Sequence, residues 1–504
     1  MDLFEPLKVT LTLPEQYAIT KRMGGNSARR LLVRSRCVDA TLKASEHKGY
    51  LKLDSRLCPP FDCIYLKRPG ARGRCPEGAL VLKGKRAFDI AKLSSEVQLV
   101  WERIPDELTG LSPKEITRSW SGKFFFKEEN LDDEILGLRR PQLGALHAIS
   151  AHFATDREVD PATVVLPTGT GKTETMLAAM VYQKCDKILV IVPSDSLRTQ
   201  IAGKFLNLGY LPELGVVPGG INLPAVAVVK SGIRTTEDAD KLANSANVIV
   251  ATTSVLSAGK PEAVDRLCEH CSHLFVDEAH HISAKSWLEV LERFRGKKVL
   301  QFTATPFRND KKALGGRVIF NYTMGEAQRA GYFTHVDLLP VEEYYEDRTD
   351  TEIAAVAVER LREDLAQGLD HLMMARTSSK SKAEALLSVY EGIAADLKPV
   401  VVHSTYGKPE IRRRLEGLLA RKSKIVICVD MLGEGYDLPN LKVAALHDHH
   451  KSLAVTLQFI GRFTRVSHKE RLGKASVVMN VADPDVEGEL QNLYSQGADW
   501  DSVL

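Results

Sequence analysis

The sequence predicts an α/β protein in which two consecutive, doubly wound parallel sheets follow a basic α+β segment. Three observations carry this expectation. From about residue 135, short runs rich in Val and Ile ("ATVVLP", "KILVIVP", "AVAVV", "NVIVATT", "HLFVDE", "KVLQFTAT") alternate with helical stretches. Such continuous apolar runs belong to strands buried on both faces, as in a parallel sheet. After about residue 322 the pattern restarts with "HVDLLPV", "HLMMAR", "PVVVHS", "KIVICV", "KVAALHD" and "ASVVMNVAD". Finally, polar, glycine-punctuated stretches follow many of these runs, and ligands of parallel sheets sit beyond the carboxyl ends of strands. A chain of 504 residues has room for roughly three domains. The expected division is 1–130, a basic accessory domain, then 131–323 and 324–504, one sheet each.

The first of these regions mixes short alternating runs with turn clusters such as "RPGARGRCPEG". "LSPKEITRSWSGKFFFKEEN" (111–130) reads as a helix start, a strand and a charged connector. Between Lys21 and Arg86 there are 17 Lys/Arg against 5 Asp/Glu, so the remainder of a chain of net charge +3 is acidic. A basic third on an acidic body suggests a surface for phosphates, with an unrelated basic domain as the plain alternative. "KFFFK" is expected to be core strand with one exposed ring rather than a base-stacking platform. Apolar content of 44% and charged content of 26% are those of a globular protein. Eight cysteines in so long a chain make no disulfide framework and point to reduced thiols in the cytoplasm. "MDLFEPLKVT" has no secretory pattern, and runs such as "ILVIV" fall far short of the roughly 18 residues that cross a membrane.

The strongest motif is "VVLPTGTGKTET" (164–175). An apolar run ends in a turn, Thr168-Gly169-Thr170-Gly171, followed by Lys172, Thr173 and a helix. The glycines let backbone N–H groups approach phosphate oxygens, and the helix directs its positive end at the same anion. Lys172 reaches the outer phosphates and the Thr173 hydroxyl ligates Mg²⁺. The strict pattern has glycine where this chain has Leu166. In "HLFVDEAHH" (273–281) a buried strand ends in two carboxylates. Asp277 is placed to hold Mg²⁺ through water, and Glu278 to take a proton from the attacking water. "FTATPFRND" presents Thr303 and Thr305 at another strand end. In the last third, Asp430, Gly433, Glu434, Gly435 and Asp437 form a polar loop after a strand. Gln458, Gly461, Arg462 and Arg465 follow Q-x-x-G-R-x-x-R, and the arginines, three apart, share a helix face.

In their order these motifs resemble the superfamily-two helicases and translocases of the DEAH-box type. The matching residues are Gln142, Gly169 to Thr173, "VPSDSLRTQ" (192–200), "ATTS" (251–254), Asp277 to His280, Thr303 to Thr305, the glycine loop at 433–435, and Gln458 to Arg465. They span about residues 135–485. The finer likeness is to type III restriction-enzyme motors and UvrB-like proteins. The resemblance implies two tandem RecA-like domains hydrolysing ATP with Mg²⁺ and acting on nucleic acid, DNA more than RNA. It implies that Gln142 reads the adenine edge, with Arg139 or Arg140 nearby. Gln458, Arg462 and Arg465 would complete the site from the second domain, alongside Gly433 and Asp437. His280, Thr303 and Thr305 would couple nucleotide to nucleic acid, and Thr253 would touch strand phosphates. Relatives of this branch serve restriction, repair or phage defence. The arginine is available in cis, so hydrolysis needs no obligate oligomer.

Two rivals stand beside a strand-separating helicase. One is a duplex translocase that never unwinds, and the other an ATP-gated nucleic-acid sensor signalling to a partner effector. Metal sites are weaker expectations. Cys268, Cys271 and His273 lack a second cysteine pair, Cys37, Cys58, Cys63 and Cys75 are irregularly spaced, and "HDHH" (447–450) reads as polar residues at a strand end that face the nucleotide or the nucleic-acid strand.

Overall fold

The computed structural model describes residues 5–19, 25–54, 64–73, 76–104, 110–130, 132–155, 159–279, 284–304, 316–332, 336–403, 405–429, 440–447 and 474–482. They fall into two compact units. One comprises Met1–Pro161, Thr173–Asp277 and Ile282–Leu300, the other Ala162–Lys172, Glu278–His281 and Gln301–Leu504.

The first unit begins with eight strands: β1 (Leu7–Leu13), β2 (Gln16–Ile19), β3 (Ser27–Val33), β4 (Arg36–Ala44), β5 (Tyr50–Leu53), β6 (Ile64–Lys67), β7 (Leu80–Gly84) and β8 (Leu99–Arg103). Six of them form a sheet in the order β1-β4-β5-β6-β7-β8. Alternation puts Val9, Leu11 and Leu13 of β1 into a core with Leu42, Leu51, Leu66 and Leu82, while Lys8, Thr10 and Thr12 pair with Thr41, Asp39 and Cys37 on the other face. The region is thus richer in strand than in helix. Its helix Pro113–Arg118 starts at a capping box in which Ser112 and Glu115 satisfy each other's backbone N–H groups.

The strand expected over "KFFFK" is not formed. The stretch is irregular, because its rings leave in several directions. Phe124 and Phe126 pack against Tyr182, and Phe126 stacks on His147 at 4.9 Å. Phe125, half exposed, instead ties the chain to Val216 by its N–H, at 2.8 Å.

Three wholly buried strands follow in this unit: β10 (Ile188–Val192), β12 (Val248–Thr252) and β13 (His273–Asp277), beside β11 (Ala225–Val228). β10 runs parallel to both β12 and β13, and β11 parallel to β12. The sheet continues into residues that the sequence places in the accessory region: β3 pairs antiparallel with β11, and β2 with β3. Buried Arg30 donates from Nε to the Leu223 carbonyl at 3.2 Å. Asn26 accepts the N–H groups of Lys230 and Ser231 at 2.8 and 3.1 Å.

In the second unit β9 (Ala162–Val165) runs parallel to β15 (Arg317–Asn321). β14 (Lys298–Thr303) ends in this unit, where the Leu166 N–H donates to the Thr303 carbonyl at 2.9 Å. A separate sheet joins β16 (Val336–Val341), β17 (Leu372–Thr377), β18 (Val400–Val402), β19 (Ile425–Val429), β20 (Leu441–Leu446) and β21 (Ala475–Asn480) in the order β16-β21-β20-β17-β19-β18, parallel throughout. Its two faces are separately buried. Met373 and Ala375 meet helices Glu346–Ala366 and Lys380–Ala394, while Leu372 and Met374 meet helix Lys408–Leu419. Burial on both sides is the reason these strands read as unbroken apolar runs.

Candidate nucleotide site

The second unit holds the phosphate-loop turn, built from the backbone outward. Gly169 and Gly171 take φ of 97° and 95°, in the left-handed region that glycine occupies without a Cβ penalty. The Pro167 carbonyl accepts both the N–H and the hydroxyl of Thr170, at 3.2 and 2.7 Å, which closes the turn. Thr170 is fully buried. Among the described residues the buried Thr168 hydroxyl has no hydrogen-bond partner, and a phosphate oxygen of a nucleotide would satisfy it. Lys172 opens the helix Lys172–Tyr182, and its side chain is only 8% exposed.

The Lys172 ammonium lies 2.6 Å from Glu278 Oε1. Glu278 has φ of 49°, a left-handed conformation unusual for a side chain longer than Asn. Such backbone is held only where the surroundings demand it, and it is a feature of functional sites. The buried Thr303, at the end of β14, lies in the same unit, so three sequence-predicted features are brought into it: turn and lysine, glutamate, and threonine.

The first unit holds Asp277, 4% exposed at the end of β13. Thr173, half buried, lies one residue after Lys172. Gln142 is buried near the start of helix Arg140–Phe153, where its Oε1 accepts the Arg139 N–H at 2.8 Å. Thr253 is the first residue of helix Thr253–Ser257, whose N-terminus is capped by the Thr252 hydroxyl. His280, Thr305, Asp430, Gly433, Glu434, Gly435, Asp437, Gln458, Gly461, Arg462 and Arg465 lie outside the described residues.

Of the metal sites weighed from sequence, Cys37, Cys268, Cys271, His273 and His447 fall within the described residues. Cys268 and Cys271 are buried, and burial pushes both thiols up to about 12. Burial also holds His273 down to about 4, hence neutral. Among the described residues no three His, Cys, Asp or Glu side chains form a metal-binding group. Cys58, Cys63 and Cys75 lie outside them, and Cys37 is exposed on β4.

His447, first of "HDHH", is a buried hub that the sequence does not reveal. Its Nδ1 lies 2.9 Å from Asp350 and its Nε2 2.7 Å from the Tyr390 hydroxyl. Lys382 binds both the His447 carbonyl and Asp350. These partners lie between 57 and 97 residues away, so no local spacing announces them.

Comparison with known proteins accords with this arrangement. Residues 135–308 match the family described as "Type III restriction enzyme, res subunit", and residues 357–467 the "Helicase conserved C-terminal domain". A putative helicase of Sulfolobus islandicus filamentous virus is 26% identical over 249 residues, 42% of this chain and 43% of that protein. The chain therefore spans under half the length of that relative. Among solved structures, a fragment of a putative HsdR subunit of a type I restriction enzyme from Vibrio vulnificus is similar with a TM-score of 0.51 at 16% identity. That match covers 78% of this chain and 74% of the fragment. The Mycobacterium smegmatis helicase Lhr bound to ssDNA and AMP-PNP gives a TM-score of 0.47 at 18% identity, covering 75% of this chain and 50% of Lhr. With its parallel sheets and phosphate loop in place, the chain carries two tandem helicase domains of superfamily-two type, the first of them like that of restriction-enzyme motors.

Proposed function

We propose that the chain is an ATP-dependent nucleic-acid motor, a helicase or translocase that favours DNA and serves restriction, repair or phage defence. The observation that carries the reading is the Lys172–Glu278 contact of 2.6 Å beside two glycines in left-handed conformation. It sets a phosphate-binding cation and a carboxylate base at the mouth of one turn. The division into 1–130, 131–323 and 324–504 is part of the proposal, with the last two as motor domains.

In this reading Gln142 recognises the adenine edge. The Thr168 hydroxyl, the loop N–H groups from Gly169 to Gly171 and the Lys172 ammonium hold phosphate oxygens. Glu278 accepts the proton of the attacking water. Thr173 and Asp277 offer a hydroxyl and a buried carboxylate, oxygen donors that suit a hard cation. Mg²⁺ bound there supplies charge neutralisation on the phosphates. Gln458, Arg462 and Arg465, with Gly433 and Asp437, complete the site from the second domain, while His280, Thr303 and Thr305 couple it to the strand at Thr253. Phosphate contacts carry no sequence information, so the part of strand binding that they supply is salt-sensitive and sequence-tolerant.

The test is Glu278→Gln. ATP binding persists while turnover falls about 10² to 10⁴-fold. Near-wild-type hydrolysis rejects the assignment. Strand-displacement and triplex-displacement assays then separate helicase from duplex translocase, and ATP turnover per base travelled separates either from a sensor.

A further inference from the structure

A cavity of about 280 Å³ opens in the first unit beside Thr253. Its inner wall is aliphatic: Leu256, Val264 and Val290 are all buried. Its rim is polar, with Thr253 from one helix and Glu289 and Arg293, one turn apart, from helix Ala284–Arg293. Most exposed carboxylates nearby are committed: Asp240 to Arg266 and His270, Asp265 to Arg293. Glu289 is not. Among the described residues its carboxylate makes no hydrogen bond or ion pair, nor does the Thr253 hydroxyl. Arg293 gives Nε to Asp265 at 2.7 Å and Nη1 to the Glu289 carbonyl at 3.1 Å, which leaves the Nη2 donors unused.

We propose that this cavity receives one unstacked nucleobase of the bound strand, a base carrying an exocyclic amino group. This rests on the nucleic-acid reading above. A base has two apolar faces and a polar edge bearing both donors and acceptors. The aliphatic wall matches the faces. Glu289 accepts from the amino group, and Arg293 Nη2 donates to the adjacent ring nitrogen or carbonyl. Opposed charges at the rim disfavour a phosphate, which would meet the Glu289 carboxylate. The cavity lies just past the carboxyl end of β12, where parallel sheets bind their ligands, and its Thr253 is the proposed strand contact. The volume is close to the lower end of ligand pockets, about 300 Å³, fitting one ring system rather than a dinucleotide. Thymine and uracil, which lack the amino group, leave the carboxylate without its partner.

The experiment compares two single strands on the full chain. One is a thymidine homopolymer of about 15 nucleotides, the other the same strand with one central deoxycytidine. Wild type binds the second about tenfold more tightly. Glu289→Ala and Ser257→Trp, the latter plugging the exposed mouth, each reduce that preference below about twofold while melting cooperatively like wild type. Equal affinity of wild type for both strands overturns the proposal, and so does a preference that survives in both variants. Failure to bind either strand, or their uridine RNA counterparts, overturns the nucleic-acid reading and this inference with it.

Discussion

Lys172 and Glu278 serve as each other's counter-ion at 2.6 Å, so a change at one is felt at the other. Lys172→Ala removes a charge-assisted donor to phosphate. ATP affinity should fall about 10 to 100-fold, the worth of a hydrogen bond to a charged group, measured by titration with a fluorescent nucleotide. An unchanged dissociation constant would remove Lys172 from the site. The His447 hub makes a different residue-scale prediction. Tyr390→Phe removes the hydroxyl that lies 2.7 Å from the buried His447 Nε2, which should cost about 1–3 kcal/mol in a denaturant titration. Burial pushes the Asp350 carboxyl up, but the His447 hydrogen bond and the Lys382 charge outweigh it and hold it below its ordinary 3.8. A carboxylate depressed in the folded state contributes stability above its unfolded pKa and loses it as pH falls through the folded value. The denaturant midpoint should therefore decline with acidification below about pH 4, and Asp350→Asn should flatten that decline. A slope unchanged by the substitution would show that the acid sensitivity lies elsewhere.

At the scale of elements, legibility in the sequence follows burial. β10 and β12 are buried on both faces, so Val and Ile run unbroken and announce a parallel sheet. The β2–β3 hairpin is not legible. β3 carries Arg29 and Arg30 in its middle, and its partner β11 begins nearly 200 residues later, so neither composition nor spacing points to the pairing. "KFFFK" misleads for the converse reason: an apolar run signals a strand, yet its rings are anchored by His147 and Tyr182. At the proposed site, the glycine turn and the two adjacent carboxylates are legible because each is a short motif of fixed residue types at the end of an apolar run. The partners of His447 are scattered along the chain and stay hidden. The hairpin's attachment is itself testable. Buried Asn26 holds the N–H groups of Lys230 and Ser231. Asn26→Ala removes the Oδ1 acceptor of both N–H groups and should destabilise this unit by about 1–3 kcal/mol. Hydrogen exchange at those two amides should accelerate with it, and unchanged protection would mean that the hairpin is held by other contacts.

At the scale of the whole molecule, the proposed motor divides one reaction between two domains. The turn, Lys172 and Glu278 belong to residues 131–323, and Arg462 and Arg465 to residues 324–504. An arginine presented to a transferring phosphoryl group is worth about 10³ to 10⁵ in rate. A protein that withholds it until its domains meet makes hydrolysis conditional on that meeting, and a bound strand can then be moved once per cycle. The consequence is a separation of binding from turnover. Arg465→Ala should lower strand-stimulated ATP turnover about 10³-fold or more. Its ATP affinity should remain much closer to wild type than that of Lys172→Ala, because the loop that holds the phosphates is untouched. The pair of variants is more telling than either alone, since a merely destabilised protein loses binding and turnover together. Were Arg465→Ala to hydrolyse ATP at the wild-type rate with strand present, residues 131–323 would contain a complete hydrolytic site. ATP consumption would then no longer be tied to domain closure, which is the step by which this chain is proposed to move along its strand.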